Sequence, residues 1–173
     1  MYNTQIAAVI YLGSSSLYLK LAEKKKNKGI KILEELQYPL NIGHDTFTKG
    51  KISFNKVDEI CNSINGFKNL INEYQVHKVK VIATSAINEA KNKDYILDQI
   101  KVKTGLDVEV IDDPEEKKHI YQGILEKIKG KSKINSKNCI MSYIGTGSLG
   151  IAVFKKGNIV SNQNIRVGSL KLS

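Results

Sequence analysis

Two short loops rich in glycine and serine, roughly 130 residues apart, constrain this chain more than any other feature. The first lies within Val9–Ser16 and the second within Ser142–Gly150. Each follows an apolar run typical of a β-strand and leads into a second apolar run. Glycine and small hydroxyl residues at such a turn let backbone N–H groups close around an anion. The repeated strand–loop–strand pattern therefore predicts two lobes that each present a phosphate loop.

Hydrophobic periodicity along the chain predicts the remaining elements. Strands are expected at 6–12, 16–22, 30–38, 78–83, 107–111, 139–144, 148–154 and 158–166, and helices at 54–74, 94–103 and 114–129, with a helical turn at 85–90 and a loop at 38–50. The first eight elements correspond to an α/β unit of the ribonuclease H-like class, in which parallel strands and covering helices extend an antiparallel trio. The last three strands repeat its opening. We therefore predict a first lobe over 1–134 and a partial second lobe over 135–173.

The composition is that of a globular protein, with 41% hydrophobic and 25% charged residues. No window approaches 18 consecutive apolar residues, so no transmembrane helix is expected. The polar start, Met1–Gln5, does not resemble a signal peptide, and we expect a cytoplasmic protein. Cys61 and Cys139 fit no metal-ligand spacing, so we expect reduced, buried thiols.

The chain carries a formal net charge of +10, and Arg166 is its only arginine. Lysines cluster at 24–28 and at 127–133. Lysine acts as a point charge and attracts polyanions without reading a base sequence. No aromatic stacking motif or recognition helix accompanies the charge, which argues against a nucleic-acid-binding protein.

The middle of the chain indicates a family. Residues 82–90 (IATSAINEA), residues 104–111 (TGLDVEVI) and the pair Glu115–Glu116 resemble the exopolyphosphatase and guanosine pentaphosphate phosphatase (Ppx/GppA) family. Residues 167–172 also resemble the stretch that follows the third strand of that family's second lobe. The resemblance runs along the whole chain and implies the actin-like ATPase fold.

The resemblance also implies an activity, the hydrolysis of a terminal phosphoanhydride of polyphosphate or guanosine pentaphosphate with Mg²⁺ as cofactor. The family's catalytic glutamate falls on Glu116, at a helix start that favours an ionised carboxylate. The phosphate-binding positions are those of the two loops: Gly13, Ser14, Ser15, Ser16, Gly145, Thr146, Gly147 and Ser148.

The chain departs from the family pattern at several of these positions. Tyr11 and Tyr143 stand where the family has aspartates, Ser15 where an asparagine is usual, Asn88 for an arginine and Gly150 for an acid. Tyrosine has a pKa of about 10 and is a poor ligand for Mg²⁺. Removal of one transition-state contact costs about 10²- to 10³-fold in rate. The alternative is therefore a catalytically inactive relative that binds polyanions or a protein partner.

Two further points stay open in the sequence. An actin-like ATPase or small-molecule kinase is a third hypothesis, and it predicts adenine-dependent binding. The three terminal strands lack the helices that would cover them, so they pack on the first lobe, on a partner or on further chain. Unpaired strand edges invite association, which leaves a homodimer open.

Overall fold

Alternating apolar residues near the N-terminus form the centre of a five-stranded sheet in the computed structural model, which describes residues 5–25, 29–128, 138–156 and 158–169. Its strands are β1 (Gln5–Leu12), β2 (Ser16–Lys25), β3 (Gly29–Pro39), β4 (Lys78–Ala83) and β5 (Val108–Val110). The order across the sheet is β3-β2-β1-β4-β5. The first three strands are antiparallel, and β4 and β5 run parallel to β1. The predicted ribonuclease H-like arrangement is confirmed.

The core of this sheet lies on one face. The cross-strand pairs Ala8–Leu21, Ile10–Leu19 and Leu12–Leu17 place six buried apolar side chains there. Helix α2 (Phe54–Glu73) adds the stripe Val57, Ile60, Cys61, Ile64, Phe67 and Ile71 to the same core. Steps of three and four residues put these side chains on one helix face. Each fully buried Leu or Ile contributes roughly 1.5–3 kcal/mol to the stability of the fold. The packing of α2 on the sheet therefore stabilises strands β1 and β2, which carry the first loop.

The predicted loop at 38–50 is instead partly helical. Helix α1 (Ile42–His44) continues into a π-helical turn, Asp45–Lys49. The Asp45 carboxylate accepts hydrogen bonds from Lys49 Nζ at 2.9 Å and from the Ser53 N–H at 3.1 Å. The polar residues of this segment predict a loop, but in the structure they form hydrogen bonds within the fold. Hydrophobic periodicity does not reveal such bonds.

Two helices follow β4 in the chain. Helix α3 (Ser85–Asn88) is a single turn, and α4 (Lys93–Thr104) ends at Gly105, whose φ of 75° closes the helix in the left-handed region. Both agree with the predicted helical segments. None of the helices in the described ranges is long and apolar enough to span a membrane.

A second, three-stranded antiparallel sheet follows helix α5 (Asp113–Ile128). Its strands are β6 (Cys139–Ile144), β7 (Leu149–Lys155) and β8 (Asn158–Ile165), in that order. Internal contacts divide the chain into a first unit, Met1–Val110, and a second unit, Ile111–Ser173. Helix α5 thus groups with the second sheet, whereas the element pattern assigns it to the first lobe. A lobe boundary at residue 134 stays a prediction.

Side chains of α5 and of one sheet face form the second unit's core. Tyr121 packs edge-on against Phe154, with ring centroids 6.0 Å apart, and Ala152 is buried beside them. On the other face of β6, Ile140 and Ile144 are 73% and 71% exposed. The pairing of two chains through this sheet stays a prediction.

Several predicted features fall on residues that the structure does not describe. Lysines 26, 28, 129, 131 and 133 of the two clusters, and residues 170–172 of the family-like stretch, lie outside the described residues. Of the two thiols, Cys61 is buried as predicted and Cys139 is half-buried.

Candidate functional site

The first loop, residues 13–16, is a tight connection between β1 and β2. The Gly13 N–H donates to the Ser16 carbonyl oxygen at 3.0 Å and closes the hairpin. The carbonyl oxygens of Ser14 and Ser15 accept hydrogen bonds from N–H groups within segment 40–43. Because both carbonyl oxygens accept hydrogen bonds from segment 40–43, that segment fixes the conformation of the loop.

Helix α3 meets this loop at its first residue. Ser14 Oγ lies 3.5 Å from Ser85 Oγ, and both hydroxyl side chains are buried. Asn88, at the other end of the same turn, is exposed and accepts a hydrogen bond from Lys93 Nζ at 3.3 Å. The structure therefore places Ser85 beside the first loop. Sequence reasoning assigns no role to Ser85, although it lies inside the family-like stretch.

The second loop, residues 145–148, repeats the geometry of the first. The Gly145 N–H donates to the Ser148 carbonyl oxygen at 2.9 Å. Ile144 pairs with Leu149 across β6 and β7, just as Leu12 pairs with Leu17 across β1 and β2. The two predicted phosphate loops are thus the same hairpin built twice.

A tyrosine ring lies against the first glycine of each loop. A Cβ on Gly13 would come within 2.9 Å of Tyr11 Cε1, and a Cβ on Gly145 within 3.1 Å of Tyr143 Cε1. Tyr11 also packs on Tyr18 of the next strand, with ring centroids 6.0 Å apart. At both aspartate positions of the family pattern, an aromatic ring therefore occupies the space beside the loop, and a side chain at either glycine would require that ring to shift.

A clamp on the second loop is a feature that sequence reasoning missed. The Ser169 N–H donates to the Gly145 carbonyl oxygen at 3.1 Å. A Cβ on Gly168 would lie 2.5 Å from the Gly147 backbone nitrogen. Only glycine allows the two backbones to approach this closely. The available signal was the family-like stretch itself, which places a Gly-Ser pair after β8.

Lys117 of α5 is the most unexpected neighbour of the second loop. Its side chain is buried, with the whole residue 4% exposed, and its Nζ lies 4.8 Å from the centroid of the Tyr143 ring. The same nitrogen lies 3.7 Å from where a Cβ on Gly145 would be. Lys117 stands four residues before Tyr121, so both face the sheet from α5. That spacing is the signal that could have identified it.

Gly150 lies against the stem of this lysine and pairs with Tyr143 across the two strands. A Cβ there would come within 2.6 Å of Tyr121 Oη and 3.0 Å of Lys117 Cδ. The position where the family has an acid is therefore filled by side chains of α5. The Tyr121 hydroxyl has no hydrogen-bond partner among the residues that the structure describes, and burial raises the pKa of Tyr121.

Glu116 lies in the first turn of α5, as predicted. Asp112, just before the helix, caps its start: its Oδ1 accepts from the Glu115 N–H and its carbonyl oxygen from the Glu116 N–H, both at 2.9 Å. Glu116 is buried, and its Oε2 lies 3.8 Å from Lys117 Nζ. A carboxylate and an ammonium are thus held together, and the ammonium lies beside the second loop.

Positions 143 and 150, where the family pattern has carboxylates, offer no carboxylate ligand for a magnesium ion. Mg²⁺ needs near-octahedral oxygen coordination that usually includes one or two carboxylates. Across residues 5–25, 29–128, 138–156 and 158–169, no three His, Cys, Asp or Glu side chains come together as a metal cluster. Beside Gly145 the neighbouring side chains are the Tyr143 ring and the Lys117 ammonium, and that ammonium lies 3.8 Å from the Glu116 carboxylate.

The predicted site residues therefore form two groups. Gly13, Ser14, Ser15, Ser16 and Tyr11 belong to the first unit, as does Asn88. Gly145, Thr146, Gly147, Ser148, Tyr143 and Gly150 belong to the second unit, together with Glu116. Within the second unit, Lys117 lies next to both the second loop and the base candidate Glu116. Phosphate binding at either loop stays a prediction.

Known proteins resemble this chain along its length. An exopolyphosphatase from Cytophaga hutchinsonii has a solved structure with a TM-score of 0.84 and 25% identity, covering 97% of this chain and 52% of that one. The bifunctional 3-dehydroquinate synthase/phosphatase of Fusobacterium nucleatum is 23% identical over 99% of this chain and 26% of its own length. A guanosine-5'-triphosphate,3'-diphosphate pyrophosphatase of Photobacterium profundum is 24% identical over 73% of this chain and 25% of its own length.

The chain spans about half the length of the solved relatives and about a quarter of the curated relatives that it matches. The sequence profile of the Ppx/GppA phosphatase family matches residues 21–173. The actin-like fold and the resemblance predicted from the sequence are both confirmed. The chain belongs to the Ppx/GppA phosphatase family.

Proposed function

We propose that this chain is an exopolyphosphatase-like phosphatase that acts on the terminal phosphoanhydride of inorganic polyphosphate or guanosine pentaphosphate. Membership of the Ppx/GppA phosphatase family supports the reaction class. One observation carries the proposal to specific residues: the ammonium of Lys117 adjoins the glycine loop and lies 3.8 Å from the carboxylate of Glu116.

The chemistry assigned to these residues is simple. The second loop and Lys117 hold the terminal phosphate, and a water molecule attacks its phosphorus atom. The bond from that phosphorus to the bridging oxygen breaks, the attacking water gives its proton to Glu116, and the shortened chain leaves with the bridging oxygen. Phosphoryl transfer of this kind depends on positioning and charge neutralisation rather than on a covalent intermediate.

Charge and relatives support the two substrate classes. The formal net charge of +10 attracts long polyanions to the surface. One relative is named an exopolyphosphatase and another a pyrophosphatase of a guanosine polyphosphate. Both substrates end in a phosphoanhydride, so one phosphate loop serves either.

The test is phosphate release from polyphosphate and from guanosine pentaphosphate, with EDTA, Mg²⁺ or Mn²⁺. Glu116→Gln should lower the rate by roughly 10²-fold or more, the range of a lost general base. The matched control is Glu115→Gln, because Glu115 is the exposed neighbour on the same helix turn. Equal rates in the two variants would remove Glu116 as the base.

A second candidate function is binding without turnover. The packing of Tyr143, Gly150 and Lys117 favours it, because this packing occupies the positions where the family pattern has carboxylates. Polyphosphate retained by the folded chain, with its length distribution unchanged, would support this candidate. Phosphate release that disappears in Glu116→Gln would exclude it.

A further inference from the structure

Lys117 places a buried positive charge at the second loop. The residue is 4% exposed, and its Nζ lies 3.7 Å from the Cβ position of Gly145, the first residue of that loop. The neighbouring Lys118 is exposed to solvent. Two adjacent lysines on one helix therefore have opposite environments, and only the first contributes to the loop.

Burial of an ammonium group has a cost that packing alone does not explain. Taking a charge out of water is unfavourable unless it is paired, and an apolar side chain of the same length would fill the space without that cost. Two features offset the cost here. The Tyr143 ring faces the ammonium at 4.8 Å, and a Glu116 oxygen lies at 3.8 Å. Both features stabilise the ammonium charge, whereas the stem alone would need neither of them.

The surroundings of the loop suit a fixed cation better than a bound one. The side chains beside Gly145 are a phenol and an ammonium, and the stem of Lys117 fills the space at Gly150. We propose that Lys117 supplies the positive charge of the second loop, so that the loop binds a terminal phosphate group without a divalent cation. This inference rests on the proposed function, because it assumes that phosphate binds at residues 145–148.

The test is isothermal titration calorimetry of the full chain with tripolyphosphate, in EDTA and in Mg²⁺. The variants are Lys117→Gln and Lys117→Met, of which the second keeps an unbranched stem if the first fails to fold. Lys118→Gln is the matched control. We expect tight binding in EDTA, a loss of roughly tenfold or more in both Lys117 variants, and a change within about twofold in the control.

Each other outcome is decisive. Binding that requires Mg²⁺, or binding in EDTA that is equal in Lys117→Met and Lys118→Gln, overturns the inference and leaves the proposed function standing. No binding by the unaltered chain in either buffer overturns both. A parallel titration with guanosine pentaphosphate separates the phosphate group, which both ligands share, from a contribution of the guanosine.

Discussion

The ammonium nitrogen of Lys117 lies 4.8 Å from the centroid of the Tyr143 ring, inside the second unit. Tyr143 pairs with Gly150 across β6 and β7, and the missing side chain at Gly150 makes room for the lysine stem. A lysine, a tyrosine and a glycine on three different elements thus form one packed arrangement. The effect of a substitution at any one of these residues should therefore depend on the side chains at the other two.

Restoring a carboxylate shows this coupling most directly. Tyr143→Asp should not make phosphate release dependent on Mg²⁺, because the new carboxylate would pair with the nearby ammonium. Tyr143→Asp combined with Lys117→Ala should raise Mg²⁺-dependent release by roughly tenfold or more over Tyr143→Asp alone, which is part of the about 10²- to 10³-fold effect of one transition-state contact. Release measured against Mg²⁺ concentration tests both. Stimulation in the single variant would contradict the coupling.

The space at Gly150 predicts a specific instability. Gly150→Ala should lower the free energy of unfolding by about 1–3 kcal/mol, because its Cβ would meet Tyr121 Oη at 2.6 Å. Tyr121→Phe alone should be neutral or slightly stabilising, since the hydroxyl is buried without a partner among the described residues. In the double variant the loss should be smaller. Urea unfolding followed by circular dichroism measures all three.

The control for this series is Gly123→Ala, also in the second unit. No atom lies within 4 Å of its Cβ position, and the residue is inside a helix. We expect it to stabilise the protein by about 0.5–1 kcal/mol, the helix preference of alanine over glycine. Equal effects at Gly123 and Gly150 would show that the space around Gly150 is not filled.

The clamp on the second loop is testable through binding. Gly168→Ala would place a Cβ 2.5 Å from the Gly147 nitrogen, so the loop backbone must move. We expect tripolyphosphate affinity to fall by roughly tenfold, about the effect of one lost charged hydrogen bond. Gly66→Ala, in open space on α2, should leave the affinity unchanged. Unaltered binding in Gly168→Ala would mean that the loop does not hold the phosphate.

Asp45 should make stability depend on pH in the acid range. Burial by itself raises its pKa, but hydrogen bonds from Lys49 and Ser53 outweigh burial and hold the pKa below its ordinary value of 3.8. A carboxyl with a lowered pKa stabilises the fold above pH 3.8, and that contribution is lost as the pH falls through the lowered value.

Asp45→Asn should therefore lower the free energy of unfolding at pH 7 by about 1 kcal/mol. The gap to the unaltered chain should close as the pH falls below 3.8. Denaturant unfolding at a series of pH values measures this gap. Asp98→Asn, at an exposed helix position, should stay within about 0.5 kcal/mol throughout. A gap at Asp45 that is constant with pH would mean that its charge is not involved.

Local pattern is enough to predict most elements of the fold. The alternation in β1 and β2, and the steps of three and four in α2, identify the buried faces from residue spacing alone. For segment 38–50 local pattern gives the wrong prediction, because its polar residues disfavour a regular element and so predict a loop. Its helical turns depend on partners far along the chain, such as the Ala86 carbonyl oxygen that accepts from Thr46 Oγ1.

By itself, the sequence determined the family, the order of strands and helices, the two repeated glycine loops and the position of Glu116 at a helix start. Each of these depends on residues close together in the chain. Only the tertiary structure decided that Lys117 is buried, that Gly150 has no space for a side chain and that Gly168 clamps the second loop. The physical reason is that a lysine or a glycine is compatible with many environments, and the environment comes from elements that the chain brings together only when it folds.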